Sequence, residues 1–308
     1  MAQVTISGKL RYAYATNTTT TANVDVNTSG VVRTDGNIDF AATEDLGGGM
    51  KVIAKLAIAT GGRDINAGNR DGGLALTGGF GTFAIGSLDA GNGIIGLGGA
   101  GAPVIGLDGV IIPDSGNIDY MSYTSASING LTFSVLATDT SGATLGMNSS
   151  ALVQDSMVYG VAYSAGPLNA KLDVTVHGDN SVPTTVTRGD GRTRLSASYD
   201  LGVAVIGAGF ETRKAAAANS TTFLTTKDTV LGVAVPMGAL TFGVNYVKAS
   251  TDTATFDTSG TDYGVKYALS KRTYVAAHYQ KLDNINYALA ALQTNGGESF
   301  RVQLSHAF

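Results

Sequence analysis

The 308-residue chain has no cysteine, no tryptophan, five prolines and three histidines. Without cysteine it has no disulfide staple, no thiolate metal ligand and no thiol nucleophile. His177, His278 and His306 are too widely spaced to read as a metal cluster, so neither a metal nor another cofactor is expected. Charge is sparse as well. Asp, Glu, Lys and Arg make up 14% of the residues, against roughly a quarter in ordinary soluble domains. The net charge of -4 comes with no Lys/Arg run, which argues against nucleic acid as a partner. Long hydrophobic runs are missing too, since none reaches the ~18–20 residues of a membrane-spanning helix.

What the chain does have is glycine, 42 residues of it, and an apolar/polar alternation that recurs from end to end. Sixteen strand candidates can be marked, from residues 3–15 and 36–45 at the start, through 193–200 and 203–212, to 272–282 and 299–308 at the end. In the first, Val4, Ile6, Leu10, Tyr12 and Tyr14 oppose Gln3, Thr5, Ser7, Lys9 and Arg11. In the last, Phe300, Val302, Leu304 and Phe308 oppose Arg301, Gln303 and Ser305, with His306 the polar exception on the apolar side. Short and long connections alternate. Leu46-Gly-Gly-Gly49, Ala165-Gly-Pro167 and Pro236-Met-Gly238 suit tight hairpins. The long connections, such as 16–35, 177–192 and 213–226, are mostly polar.

One greasy face, one wet face and alternating loop lengths predict an all-β fold: a 16-stranded antiparallel transmembrane β-barrel, one domain over residues 1–308. Closure is required because an open sheet edge in lipid leaves backbone donors and acceptors unpaired. Tyr and Phe near strand ends suit interfacial girdles. Met1-Ala2 precedes the first strand with no apolar leader, so an exported barrel is expected here as a mature form bearing a replacement start.

The longest connection, loop 3 over residues 89–116, is also the most apolar. Exposed on a cell surface it would be sticky, so it is expected to fold inward and narrow the lumen. Lys9, Arg11, Lys51 and Lys55 fall on lumen parity, with Arg70 close to it, and could form a basic pore wall that attracts anions or could simply hydrate it. Asp108 and Asp114 in loop 3 either face that wall or serve as turn residues beside Gly109 and Pro113. Arg188, Asp190, Arg192 and Arg194 read as a solvated loop end, with a vestibule anion site as the alternative; Arg213-Lys214 reads as a loop charge pair. Asp39, Asp173 and Asp262 are interior carboxylates that could pair with lumen Lys or Arg. No catalytic residue is assigned, because no His or nucleophile partners them at a legible spacing. Gly93-Ile-Ile-Gly-Leu-Gly-Gly99 lacks the Lys-Ser/Thr and the helix of a phosphate loop.

Four segments in order give the chain a resemblance: Thr43-Glu-Asp-Leu-Gly-Gly-Gly-Met-Lys51, Leu76-Thr-Gly-Gly-Phe-Gly-Thr82, Tyr267-Ala-Leu-Ser-Lys-Arg-Thr273 and Leu304-Ser-His-Ala-Phe308. Together they resemble the Gram-negative general porins, particularly those of β-proteobacteria. The resemblance implies a homotrimer in the outer membrane, in contact with lipid and lipopolysaccharide. It also implies loop 3 as the pore constriction and Phe308 as the signal read by the barrel-assembly machinery. Lys9 and Arg70 match basic pore positions of the family. Asn37 and Ser87 stand where the family usually has arginine, and the usual Pro-Glu-Phe-Gly-Gly turn of loop 3 is absent. The function this implies is passive diffusion of small hydrophilic solutes and ions without bond chemistry, with a weak anion preference. A substrate-selective channel is the alternative, and a barrel adhesin is less favoured.

Overall fold

The computed structural model describes residues 3–21, 24–59, 68–90, 93–107, 116–139, 155–178, 188–216, 220–252, 257–285 and 294–308. They form a single closed barrel of sixteen antiparallel strands, each hydrogen-bonded to its sequence neighbours and the last to the first. The strands are β1 (Gln3–Thr21), β2 (Val24–Gly47), β3 (Met50–Ala59), β4 (Gly68–Gly78), β5 (Gly81–Ala90), β6 (Gly116–Thr124), β7 (Leu131–Asp139) and β8 (Ser156–Ala165). The second half comprises β9 (Leu168–His177), β10 (Arg188–Asp200), β11 (Val205–Ala216), β12 (Leu224–Met237), β13 (Leu240–Thr251), β14 (Thr258–Ala268), β15 (Thr273–Ile285) and β16 (Thr294–Ala307). One short helix, α1 (Gly93–Gly98), lies between β5 and β6.

The alternation assigns the faces as expected. Val4, Ile6, Leu10, Tyr12 and Tyr14 of β1 and Phe300, Val302 and Leu304 of β16 are exposed on the outer face. Their neighbours Lys9, Arg11, Arg301, Gln303 and Ser305 face inward. His306, the polar exception, meets Thr273 at 2.9 Å near the short-turn rim. Tight turns join the strands at that rim. Between β2 and β3, Gly47, Gly48 and Gly49 all take positive φ, which residues with a Cβ resist.

The seam closes by register. Lys9 pairs with Ala307 and Arg11 with Ser305. Gly8 N–H donates to Phe308 O at 3.1 Å, and Phe308 N–H donates back to Gly8 O at 3.0 Å. Both chain ends thus sit on the same rim, the geometric consequence of an even strand count.

Three sequence expectations change. Of residues 16–35, read as a loop, residues 16–21 and 24–35 form the far half of a β1–β2 hairpin, paired from Gln3↔Thr43 to Thr21↔Val24 with a bulge at Arg11/Tyr12. The segment is rich in Thr and Val, which suit a pleated ribbon. At ~3.3 Å per residue, the 24 residues of β2 span roughly 80 Å, far more than an apolar band of about 25 Å. Second, β10 begins at Arg188 and β11 runs to Ala216, so both charge clusters read as loop lie on strands. Third, loop 3 contains a helical turn where no helix was expected. Gly99 N–H donates to Ile95 O at 2.7 Å, and Ala100 N–H to Leu97 O at 3.0 Å closes the turn.

Candidate functional site

The site is the lumen, and loop 3 is its main furnishing. The described residues of loop 3 leave the end of β5 and lie along the inner wall from β10 to β15. Helix α1 packs on β10, β11 and β12. Ile94 and Leu107 are buried against Val230 of β12 and Val247 and Ala249 of β13, with Ile95 and Leu282 at the edge. Val230, Val247 and Ala249 are inward-facing, so this stretch of wall is apolar on both sides. The Val230-Leu-Gly-Val-Ala-Val235 run carried that signal, because a strand covered on both faces shows a continuous apolar run rather than an alternation.

Glycines let the loop approach the wall closely. A Cβ built on Gly232 would stand 2.3 Å from Gly99 C, and one on Gly207 2.3 Å from Leu97 O. One on Gly243 would stand 2.5 Å from Pro103 Cδ. Polar side chains then fasten the loop. Gly106 N–H donates to Asp262 Oδ2 at 2.7 Å, while Gln280 Nε2 donates to Gly106 O at 2.9 Å and to Asp262 Oδ2 at 3.3 Å. The Asn245 amide nitrogen, turned toward the loop, donates to Gly99 O at 3.0 Å. Asp262, Asn245 and Gln280 are all buried beneath the loop. Asp262, a candidate partner for a lumen Lys or Arg, is instead hydrogen-bonded by the backbone amides of Ile105 and Gly106 and by Gln280, with Arg301 acting on it only electrostatically.

Basic residues line the wall next to this seat. Arg301 on β16, the register partner of His278 on β15, lies within electrostatic reach of both Asp262 and Arg11. On β1, Lys9 Nζ reaches Asp35 Oδ2 at 2.6 Å and Arg11 reaches the same oxygen at 3.9 Å. Lys51 and Lys55 project from β3 on the lumen side and are exposed. Arg70 belongs to β4, with its side chain outside the described residues; Asp108 and Asp114 also lie outside them. Among the described residues of loop 3, 93–107, none carries a charge. Asn37 and Ser87, at the family's arginine positions, instead bond Asp39 and Asp119.

The charges of β10 and β11 differ from the loop-end reading. Arg192 and Arg194 share inward parity with Ser196 and Ser198, which places them on the lumen wall rather than in solvent. Arg194 Nε pairs with Glu211 Oε2, both buried, and Glu211 stands beside the buried Asp228 across the β11–β12 register. Arg192 lies opposite Arg213 in the β10–β11 register. Lys214, on the opposite parity, pairs with Asp190 at 2.5 Å. Asp173 meets Lys171 at 2.9 Å, as expected of an interior carboxylate.

The sequence reading placed Arg301 on the polar face but did not name it among the basic pore residues, and it missed Asn245 and Gln280 as fasteners of loop 3. Parity marks a side chain as inward. It does not show that a loop will be laid on top of it.

A closed sixteen-stranded barrel with an oily outside and a polar inner wall defines a membrane channel built of strands. Comparison with known proteins places it further: the Gram-negative porin family matches residues 1–287, and the chain belongs to that family. It is an outer-membrane diffusion channel of the Gram-negative envelope. Its fold is similar to that of an anion-selective porin from Comamonas acidovorans (TM-score 0.78, 20% identity, 100% of each chain covered). It is also similar to Salmonella typhi OmpF in complex with daunomycin (TM-score 0.76, 13% identity, 99% of this chain and 97% of that one). A third similar structure is OmpT of Vibrio cholerae, in-vitro folded, in trimer form (TM-score 0.71, 13% identity, 100% of this chain and 99% of that one). No curated protein matches the sequence.

Proposed function

We propose that the chain forms one barrel domain through which small hydrophilic solutes and ions diffuse passively, without bond chemistry. Loop 3 is the constriction, and anions are favoured. The observation that carries the anion preference is the asymmetry of the lumen. Lys9, Arg11 and Arg301 border the seat of loop 3, while residues 93–107 of that loop bear no charge to oppose them. The Asp35 carboxylate neutralises part of this strip, which keeps the preference weak. A homotrimer accords with the trimer form of OmpT. Lipid and lipopolysaccharide suit the exposed apolar outer face, and Phe308 at the closing seam suits recognition by the barrel-assembly machinery.

A planar bilayer with a salt gradient tests the reading. The native protein should give discrete conductance steps and a reversal potential of anionic sign. Lys9→Glu with Arg11→Glu changes the wall by four charges. Through water at about 8 Å each unit is worth about 0.5 kcal/mol before screening, enough to drive the potential toward cations. A double variant with an unshifted potential would remove the basic strip from the selectivity argument, and absence of steps would remove the channel itself.

A further inference from the structure

We propose that five glycines of the barrel wall, Gly207 and Gly209 of β11, Gly232 of β12, Gly243 of β13 and Gly264 of β14, set the width of this channel by fixing how deeply loop 3 sinks into the wall. The inference rests on the proposed role of loop 3 as constriction, and deepens it.

All five lie on the inward parity of adjacent strands, alternating with the lipid-facing Phe210, Leu231, Phe242 and Tyr263. Along its own direction, loop 3 meets Gly209, then Gly207, Gly232, Gly243 and Gly264. A Cβ on Gly209 would meet Ile94 O at 3.0 Å, one on Gly207 would meet Leu97 O at 2.3 Å, and one on Gly232 would meet Gly99 C at 2.3 Å. Further along, a Cβ on Gly243 would meet Pro103 Cδ at 2.5 Å and one on Gly264 would meet Pro103 O at 1.7 Å. The contact is reciprocal, because a Cβ on Gly98 of the loop would meet Gly209 N at 2.9 Å. These are backbone-to-backbone approaches, together with a proline ring, so no flexible side chain can swing away to make room.

Which partner yields is decided by the hydrogen bonds. Each wall strand is laddered on both sides within the closed barrel, whereas the described part of loop 3 is held by a few fasteners to Asn245, Asp262 and Gln280. A side chain added to the wall therefore pushes the loop toward the axis. Ordinary carbon contacts are about 3.5–4.0 Å, so one methyl at Gly232 moves the loop by roughly 1–2 Å. That is a direct subtraction from the lumen.

The test uses the full-length protein folded in detergent, with the heat-dependent gel shift confirming a closed barrel. Single-channel conductance is measured for Gly209→Ala, Gly243→Ala and Gly232→Ala. The control is Gly30→Ala in the β1–β2 hairpin, where a Cβ meets nothing within 4 Å. The expected result is a graded loss of conductance, smallest for Gly209→Ala and larger for Gly232→Ala, with the control unchanged. Exclusion of neutral sugars in liposome swelling should tighten in the same order. If Gly232→Ala does not close into a barrel, the comparison of Gly209→Ala with Gly243→Ala carries the same order. Conductance that is unchanged or raised in folded variants overturns the proposal. A native protein that gives no conductance at all would instead overturn the channel reading on which it rests.

Discussion

Replacing Asp262 by alanine detaches the far end of loop 3 from the wall. The carboxylate is fully buried and accepts the Gly106 amide at 2.7 Å and the Gln280 amide at 3.3 Å. A hydrogen bond to a charged group contributes about 1.5–3 kcal/mol, and the stranded Gly106 N–H adds its own desolvation. Against this, Gln280 still donates to Gly106 O at 2.9 Å, and the apolar packing of Ile94 and Leu107 is untouched. A net loss of about 2 kcal/mol in the seating of the loop is therefore expected, roughly a thirtyfold shift toward the unseated state. Barrel stability should change little or even rise, since a carboxylate buried without a direct basic partner is itself costly. The readout is open-channel current noise in single-channel recordings, where excursions of loop 3 appear as flicker. Asp262→Asn keeps an acceptor oxygen for Gly106 and should lie between alanine and wild type. Current from Asp262→Ala as quiet as wild type, with Gln280→Ala equally quiet, would show that these side chains do not hold the loop.

Two further outcomes follow from the wall and the seam. Arg194→Ala strands the buried Glu211 beside the buried Asp228. That should destabilise the barrel by about 3–5 kcal/mol, while Arg194→Met with Glu211→Leu should recover most of the loss. Urea midpoints of the detergent-folded protein decide this, and an unaltered midpoint for the single variant refutes it. Gly8→Val should lower the temperature of the heat-dependent gel shift, because a Cβ there would stand 2.5 Å from Asn37 O and 2.6 Å from the Phe308 ring at the closing seam. An unmoved transition would mean that the ring swings aside without loosening the β1–β16 pairing.

Much of this architecture was legible in the chain. Parity in β1 and β16 separated Leu10 and Phe300 from Lys9 and Arg301 without any tertiary information, and the glycines at 47–49 marked a hairpin. The apolar character of loop 3 by itself pointed the loop inward. Boundaries were less legible, as residues 16–35 show: a polar Thr- and Val-rich ribbon outside the membrane has no greasy face to betray its pairing. The charges of β10 were misread for a related reason. With the strand marked from residue 193, Arg192 falls in the loop and Arg194 stands at its edge; both become wall residues once the strand is known to start at Arg188.

Sequence alone determined the barrel, because side-chain period and turn chemistry act between residues a few positions apart, and an edge in lipid leaves closure as the one outcome. Only the tertiary structure decided where loop 3 comes to rest. Gly106 meets Asp262 and Gln280 across separations of 156 and 174 residues, and a glycine in β12 looks like any other until a backbone from β5's far end is laid across it. The resting place of loop 3 is a property of that long-range contact and is written in no single segment of the chain.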